Sequence, residues 1–67
     1  MDTTIHDRIK IARTQRGLSV REAATDAGVT RQAWWSWEER GATPTGDRLV
    51  RAAKTLRVGL DYLVGAP

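Results

Sequence analysis

Two helix-start signals stand so close together that they dictate how the middle of this 67-residue chain folds. Ser19 and Glu22, in the stretch SVRE, form a capping box in which hydroxyl and carboxylate each satisfy a backbone N–H at the start of a helix. Thr30 is the next N-cap, and Gly28 just before it supplies a backbone able to take positive φ, so the helix opened near Val20 ends there. Helices joined by only about three residues cross steeply and touch near the turn. Such a crossing needs a small residue on the first helix, which is Ala24, and a residue that can be buried after the glycine, which is Val29.

The same punctuation divides the rest of the chain. Ile5, Ile9 and Ala12 recur at helical spacing behind a Thr3 or Thr4 cap, and Gly17 ends the run, so the first helix covers about 4 to 15. A third helix runs from Arg31 to about Arg40 and stops at Gly41. Pro44-Thr45 marks a fourth start, with Leu49, Ala52, Ala53 and Leu56 as its inner face. A fifth helix of one or two turns sits around Leu60 to Leu63, closed by Gly65. Nothing alternates with period two for long enough to make a strand, so the expected class is all-α, five helices in one domain spanning 1–67.

A chain this short buries only roughly 60% of the surface its unfolded form exposes. Without cysteine it has no disulfide framework and no thiolate zinc site to add stability, which leaves the cytoplasm as the expected compartment. Asp2, His6 and Asp7 stand where a signal peptide would carry a basic start and an apolar run, and no stretch approaches the ~20 apolar residues of a membrane span. The formal charge is +3, with Arg8, Lys10, Arg13, Arg16 and Arg21 falling in one block that contains no acid. That block favours a polyanionic partner such as nucleic acid; it fits a membrane surface less well, because no large apolar face backs it.

Three of the four aromatic residues are Trp34, Trp35 and Trp37, all on the third helix. Trp34 and Trp37 share a face and are expected in the core, each indole N–H needing a partner or an exposed edge. Trp35 lies nearly opposite Trp37, on the outer face beside Arg31 and Gln32. There it can pack on a DNA sugar-phosphate edge or a thymine methyl, stack under Arg31, or face another protein, and DNA is the favoured reading.

In order and spacing, RIKIAR, GLS, Ala24, GVT, Trp37-Glu38, Pro44-Thr45 and VGLDYLVG resemble the phage repressor and Cro-like (Xre) helix-turn-helix family over nearly the whole chain. The resemblance implies a helix-turn-helix at about 19–40 whose second member enters the DNA major groove, in a homodimer that regulates transcription, usually by repression. It places Thr30, Arg31, Gln32 and Ser36 at base-facing or groove-edge positions and pairs Arg13 with Glu38 as a buried structural ion pair. Side-chain chemistry agrees for two of these, since Arg pairs bidentately with guanine and Gln with adenine. Arg21, Thr43, Thr45 and Arg48, with Thr30 and Trp35, are the candidate backbone or groove-edge contacts.

The chain also departs from the family. Val20 stands where a phosphate-contacting Gln is common, and Gly41 comes one residue late. Ala12 and Ala23 replace leucines, while Trp34 replaces Ile or Val, an exchange that keeps core volume if the indole fills the space the leucines leave.

Other functions are weaker fits. His6 is the only histidine, near a terminus expected to be mobile, and no second His, Cys or Gly-rich phosphate loop accompanies it to build an enzyme site. A metal site fails for the same shortage of ligands, and no cofactor is expected. The alternative is an antitoxin-like or regulatory protein-binding module on the same fold, gripping a protein partner through Trp35, Leu60, Leu63 and Val64, although those last residues could instead cap the core.

Overall fold

Side-chain caps start the first three helices of the computed structural model, which describes residues 3–65. In chain order the helices are α1 (Ile5–Gln15), α2 (Val20–Ala27), α3 (Arg31–Glu39), α4 (Gly46–Leu56) and α5 (Leu60–Val64). Asp2 lies outside the described residues. Thr4, not Thr3, caps α1, in a box with Asp7. At α2 the Ser19 hydroxyl accepts from the Glu22 N–H at 3.0 Å, and the Glu22 carboxylate accepts from the Ser19 N–H at 2.8 Å. Thr30 caps α3 by accepting from the Ala33 N–H at 3.0 Å.

The turn between α2 and α3 has the geometry its sequence demands. Gly28 takes φ +72, and the Val29 N–H reaches back to the Ala24 carbonyl at 3.0 Å, closing α2 and aiming the chain into α3. Ala24 is buried and Val29 half-buried against the core.

One apolar cluster holds the five helices together: Ile9 and Ala12 from α1, Ala23, Ala24 and Ala27 from α2, Trp34 and Trp37 from α3, Ala52, Ala53 and Leu56 from α4, and Leu63 from α5. Alanine supplies much of it, which lets helices approach closely but contributes little volume. Trp34, fully buried, is the largest side chain in that interior. Its ring lies 5.2 Å from that of Trp37 at a tilt of 51°, within the range where aromatic pairs attract. α2 packs on both α3 and α4, while α1 touches α3, α4 and α5.

The structure corrects the sequence reading of α5. Leu63 is fully buried and cannot grip a partner, so it takes the core-capping alternative; of the α5 residues named for gripping a partner, Leu60 and Val64 are exposed, and so is Tyr62. The spacing explains the split, because a one-turn helix lying on the core can bury only the residue pointing straight down.

Candidate nucleic-acid interface

α3 is fastened on its inner side and open on its outer side. From α1, the Arg13 guanidinium grips the Glu38 carboxylate with two bonds, Nε to Oε2 at 2.6 Å and Nη2 to Oε1 at 3.0 Å. Glu38 Oε2 also accepts the Trp34 indole N–H at 2.6 Å, and Arg13 Nη1 donates to the Leu18 carbonyl at 2.8 Å. The Glu38 side chain is 1% exposed and that of Arg13 12%, so the pair sits away from water with its donors and acceptors satisfied. A buried ion pair is tolerable on that condition. Among the described residues no buried polar side-chain atom lacks a partner.

Two more α1 residues reach the end of α3. His6 Nδ1 lies 2.8 Å from the Trp37 carbonyl oxygen, so this nitrogen carries the proton and donates. Lys10 Nζ meets Glu39 Oε2 at 3.1 Å on the exposed rim. The Trp37 carbonyl is one of the groups a helix end leaves unpaired. Past Gly41, at φ +76, the Ala42 N–H turns back to the Ser36 carbonyl instead. His6 is therefore neither on a mobile end nor idle: it is half-buried within α1 and caps the last turn of α3. His6, Lys10 and Arg13 stand at i, i+4 and i+7, one helix face, and that spacing was the sequence signal that could have grouped them.

The outer face carries Arg31, Gln32 and Trp35, all exposed. Arg31, Gln32 and Trp35 join Val20, the first residue of α2, around a surface hollow of about 330 Å³. A neighbouring hollow is lined by Arg21, Ala24, Thr25, Val29 and Arg31, so the two adjoin at Arg31 along the crossing of α2 and α3. Trp35 is 40% exposed, and the guanidinium over its ring, 5.6 Å from the centroid, belongs to Arg40. A stack under Arg31 is one of the alternatives that helical phase leaves open for Trp35, and the cation over the ring is instead Arg40. Arg40 closes α3 beyond its last turn, where its side chain can fold back over the ring one turn before it.

The remaining candidates are spread around this face. Ser36 is half-buried and spends its hydroxyl proton on the Ala33 carbonyl at 2.7 Å, which leaves its oxygen free only to accept. Thr30 is exposed, with its oxygen engaged as the α3 cap. Arg21 is exposed in the first turn of α2, and Thr43, Thr45 and Arg48 are exposed at and before the start of α4. Thr45 occupies the N-cap position of α4 without a side-chain cap bond, so its hydroxyl is not used there.

Comparison with known proteins places this arrangement. The helix-turn-helix family (HTH_3) matches residues 9–63. Among solved structures, the chain is similar to the P22 c2 repressor in complex with a synthetic operator, with TM-score 0.91 and 24% identity over 98% of this chain and all of that one. It is also similar to the DNA-binding domain of the P22 c2 repressor in solution, with TM-score 0.88 and 26% identity over 94% of this chain and 84% of that one. No curated protein sequence matches significantly.

Proposed function

Because the chain belongs to the helix-turn-helix family, we propose that it is a sequence-specific double-stranded DNA-binding regulator, a repressor that reads a palindromic operator with α3 in the major groove. The observation that carries this reading is the asymmetry of α3. Its inner face and C-terminal end are bonded to α1, while Arg31, Gln32 and Trp35 project outward from a helix that cannot easily shift. The likeness to a repressor solved on its operator supports the same reading.

In this proposal residues 1–67 act as one domain, and two copies form a symmetric dimer that places α3 in successive major grooves, reading half-sites about 34 Å apart. Arg31 and Gln32 read base edges, with Ser36 accepting at the groove edge. Arg21, Thr30, Thr43, Thr45 and Arg48 hold phosphates, which positions the protein without reading sequence. The N–H groups at the start of α2 serve the phosphate role that Val20 cannot. The protein acts by binding in the cytoplasm and catalyses no reaction. No described helix is long and apolar enough to cross a membrane.

The two classes of contact fail differently. On a site selected from random duplexes, Gln32→Ala loses roughly 1 to 3 kcal/mol while binding to random DNA changes little. Arg21→Ala weakens both and flattens the salt dependence by about one unit. Equal losses from Gln32→Ala on selected and random duplexes remove the base-reading role. Absence of binding to any duplex at low salt, with one polypeptide co-purifying, transfers the function to the protein-binding alternative.

A further inference from the structure

The two kinds of contact proposed for DNA come from different parts of the chain. Arg31 and Gln32 follow the turn between α2 and α3, whereas Thr43, Thr45 and Arg48 lie in the loop before α4 and in its first turn. Bonds from α1 fasten α3, but the side-chain bond that α1 makes to α4 is near the far end of that helix, where Arg16 Nε donates to the Thr55 carbonyl at 3.3 Å. Closer to its start, α4 meets the turn through Arg51. Arg51 Nε donates to Asp47 Oδ2, one helical turn earlier, at 2.9 Å. The other end of the guanidinium lies against the turn, since a β-carbon on Gly28 would stand 3.5 Å from Arg51 Nη1. No side chain intervenes, because the positive φ at that position selects glycine.

The charges suit this placement. The C-terminal end of a helix carries partial negative charge, and the last turn of α2 has no basic residue of its own. Arg51, reaching over from α4, supplies the cation. The Asp47–Arg51 pair is exposed at both ends, so as an ion pair it adds little to stability. Its effect is orientation: a free arginine side chain samples many rotamers, and Asp47 keeps this one directed at the turn.

We propose that Arg51 is a positioning residue for sequence recognition: steadied by Asp47, it packs α4 against the α2–α3 turn and holds Arg31 and Gln32 in a fixed relation to the phosphate-holding segment 43–48. This role deepens the DNA-binding reading above and rests on it. Phosphate contacts set the register of a protein on the duplex, and base contacts read sequence only from that register. A turn that slides on α4 spoils the match between the two while leaving every contact available. Selected sites then lose affinity and random duplexes do not.

The test compares affinities for a duplex selected from random sequence and for random duplexes over a series of salt concentrations, with the urea midpoint of every variant. Arg51→Met is expected to lower the selected-to-random affinity ratio by about three- to tenfold, a range ordinary for residues that act on a site without touching its ligand. The midpoint and the salt slope should stay nearly as they are. Asp47→Asn separates positioning from charge. Removing a negative charge near the phosphates tightens binding to every duplex by Coulomb's law alone, yet releasing Arg51 is expected to lower the ratio as Arg51→Met does. Combining the two substitutions should lower the ratio no further, because the pair acts as one unit. Arg51→Lys keeps the charge but lacks the fork that spans Asp47 and the turn, and should behave like Arg51→Met. A ratio unchanged in Arg51→Met overturns the role. A ratio that falls only together with the urea midpoint also overturns it and makes Arg51 structural. Equal losses on selected and random duplexes, with the salt slope flattened by about one unit, overturn it in favour of a phosphate contact. Failure of the parent protein to bind any duplex overturns the DNA-binding reading itself.

Discussion

The first three helices and the last two are held by different kinds of force. α1, α2 and α3 each begin at a side-chain cap, and α1 is tied to α3 by the Arg13–Glu38–Trp34 cluster and by the His6 bond to the Trp37 carbonyl. α4 and α5 begin at Thr45 and Gly59 with no side-chain cap bond, and α4 ends with Arg57 in the left-handed region at φ 57, a conformation that suits glycine better. What fixes α4 and α5 is chiefly burial of Ala52, Ala53, Leu56 and Leu63, with a single side-chain bond from α1, Arg16 Nε to the Thr55 carbonyl at 3.3 Å, reaching α4. Hydrogen bonds are directional and set position to a fraction of an ångström, whereas the hydrophobic driving force is non-directional. Most of the directional bonds between helices are spent on the helix that presents Arg31, Gln32 and Trp35, the place where a small misplacement would matter most.

The largest effect expected is at the meeting point of the two regimes. Trp34 belongs to the apolar cluster and also donates to Glu38, so Trp34→Ala removes packing and a bond together and should cost about 3 to 5 kcal/mol. That is enough to threaten a domain of this size. Trp35→Ala, on the same helix but exposed, should leave the urea midpoint almost unchanged. If Trp35→Ala proved the more damaging of the two, the inner and outer faces of α3 would be wrongly assigned, and the base-reading role of Arg31 and Gln32 would go with them.

Glu38→Gln comes next. It keeps the shape of the side chain but leaves the Arg13 guanidinium buried without a counter-charge, and breaking such pairs costs about 3 to 5 kcal/mol. The loss is expected at the low end of that range, because Arg13 keeps its bond to the Leu18 carbonyl. Lys10→Met, which removes the exposed pair to Glu39, serves as the control and should change stability by well under about 1 kcal/mol. An unmoved midpoint in Glu38→Gln would show that the α1–α3 junction is held by burial after all, and the contrast between the two halves would collapse.

The caps sharpen the same contrast at smaller scale. Thr30→Ala deletes a hydroxyl that accepts from the Ala33 N–H and should cost about 1 kcal/mol, whereas Thr45→Ala deletes one that caps nothing and should cost close to zero. Thermal midpoints of the two variants, measured side by side, decide it. Equal losses would mean that Thr45 has a partner in solution and that α4 is fixed in the same way as α3.

How much of this was legible in the sequence follows from the range of each interaction. The boxes at Ser19 and the turn at Gly28 act over three or four residues, so the types and spacings sufficed to place α2, the turn and α3. The phase of the three indoles was legible for the same reason, since a helix converts spacing directly into direction. What was missed is long in sequence or depends on a side chain's final path. His6 and the Trp37 carbonyl are 31 positions apart, and the one local signal for the meeting is that His6 shares a helix face with Lys10 and Arg13. Arg40 rather than Arg31 covers Trp35 because of where the last turn of α3 ends, and Leu63 is buried because of how a one-turn helix lies on the core. At the candidate interface, the residue types at Arg31 and Gln32 were readable as groove-reading chemistry, but the hollow they form with Val20 exists only once α2 and α3 have crossed.

The smallest expected effect concerns acid. Glu22 is held below the ordinary carboxylate range, first by the Ser19 backbone N–H that it accepts from and then by the Ser19 hydroxyl. A carboxyl whose folded pKa lies below its unfolded value, near 4.5, favours the folded state once it is charged. Its contribution is therefore fully present above about that pH and disappears as the pH falls through the lower folded value. The group is exposed, so the global stability change is slight, and the informative readout is local. Amide exchange at the Ser19 N–H should quicken relative to the α4 start as the pH is lowered through that window, after correction for the intrinsic pH dependence of exchange, because α4 has no side-chain cap to lose. In Glu22→Gln the side chain can still accept from that N–H but no longer titrates, so the acid-induced loosening should vanish. If the variant loosens in acid as the parent does, the sensitivity comes from other carboxylates, and the capping box is not the acid-labile joint of the first half of the molecule.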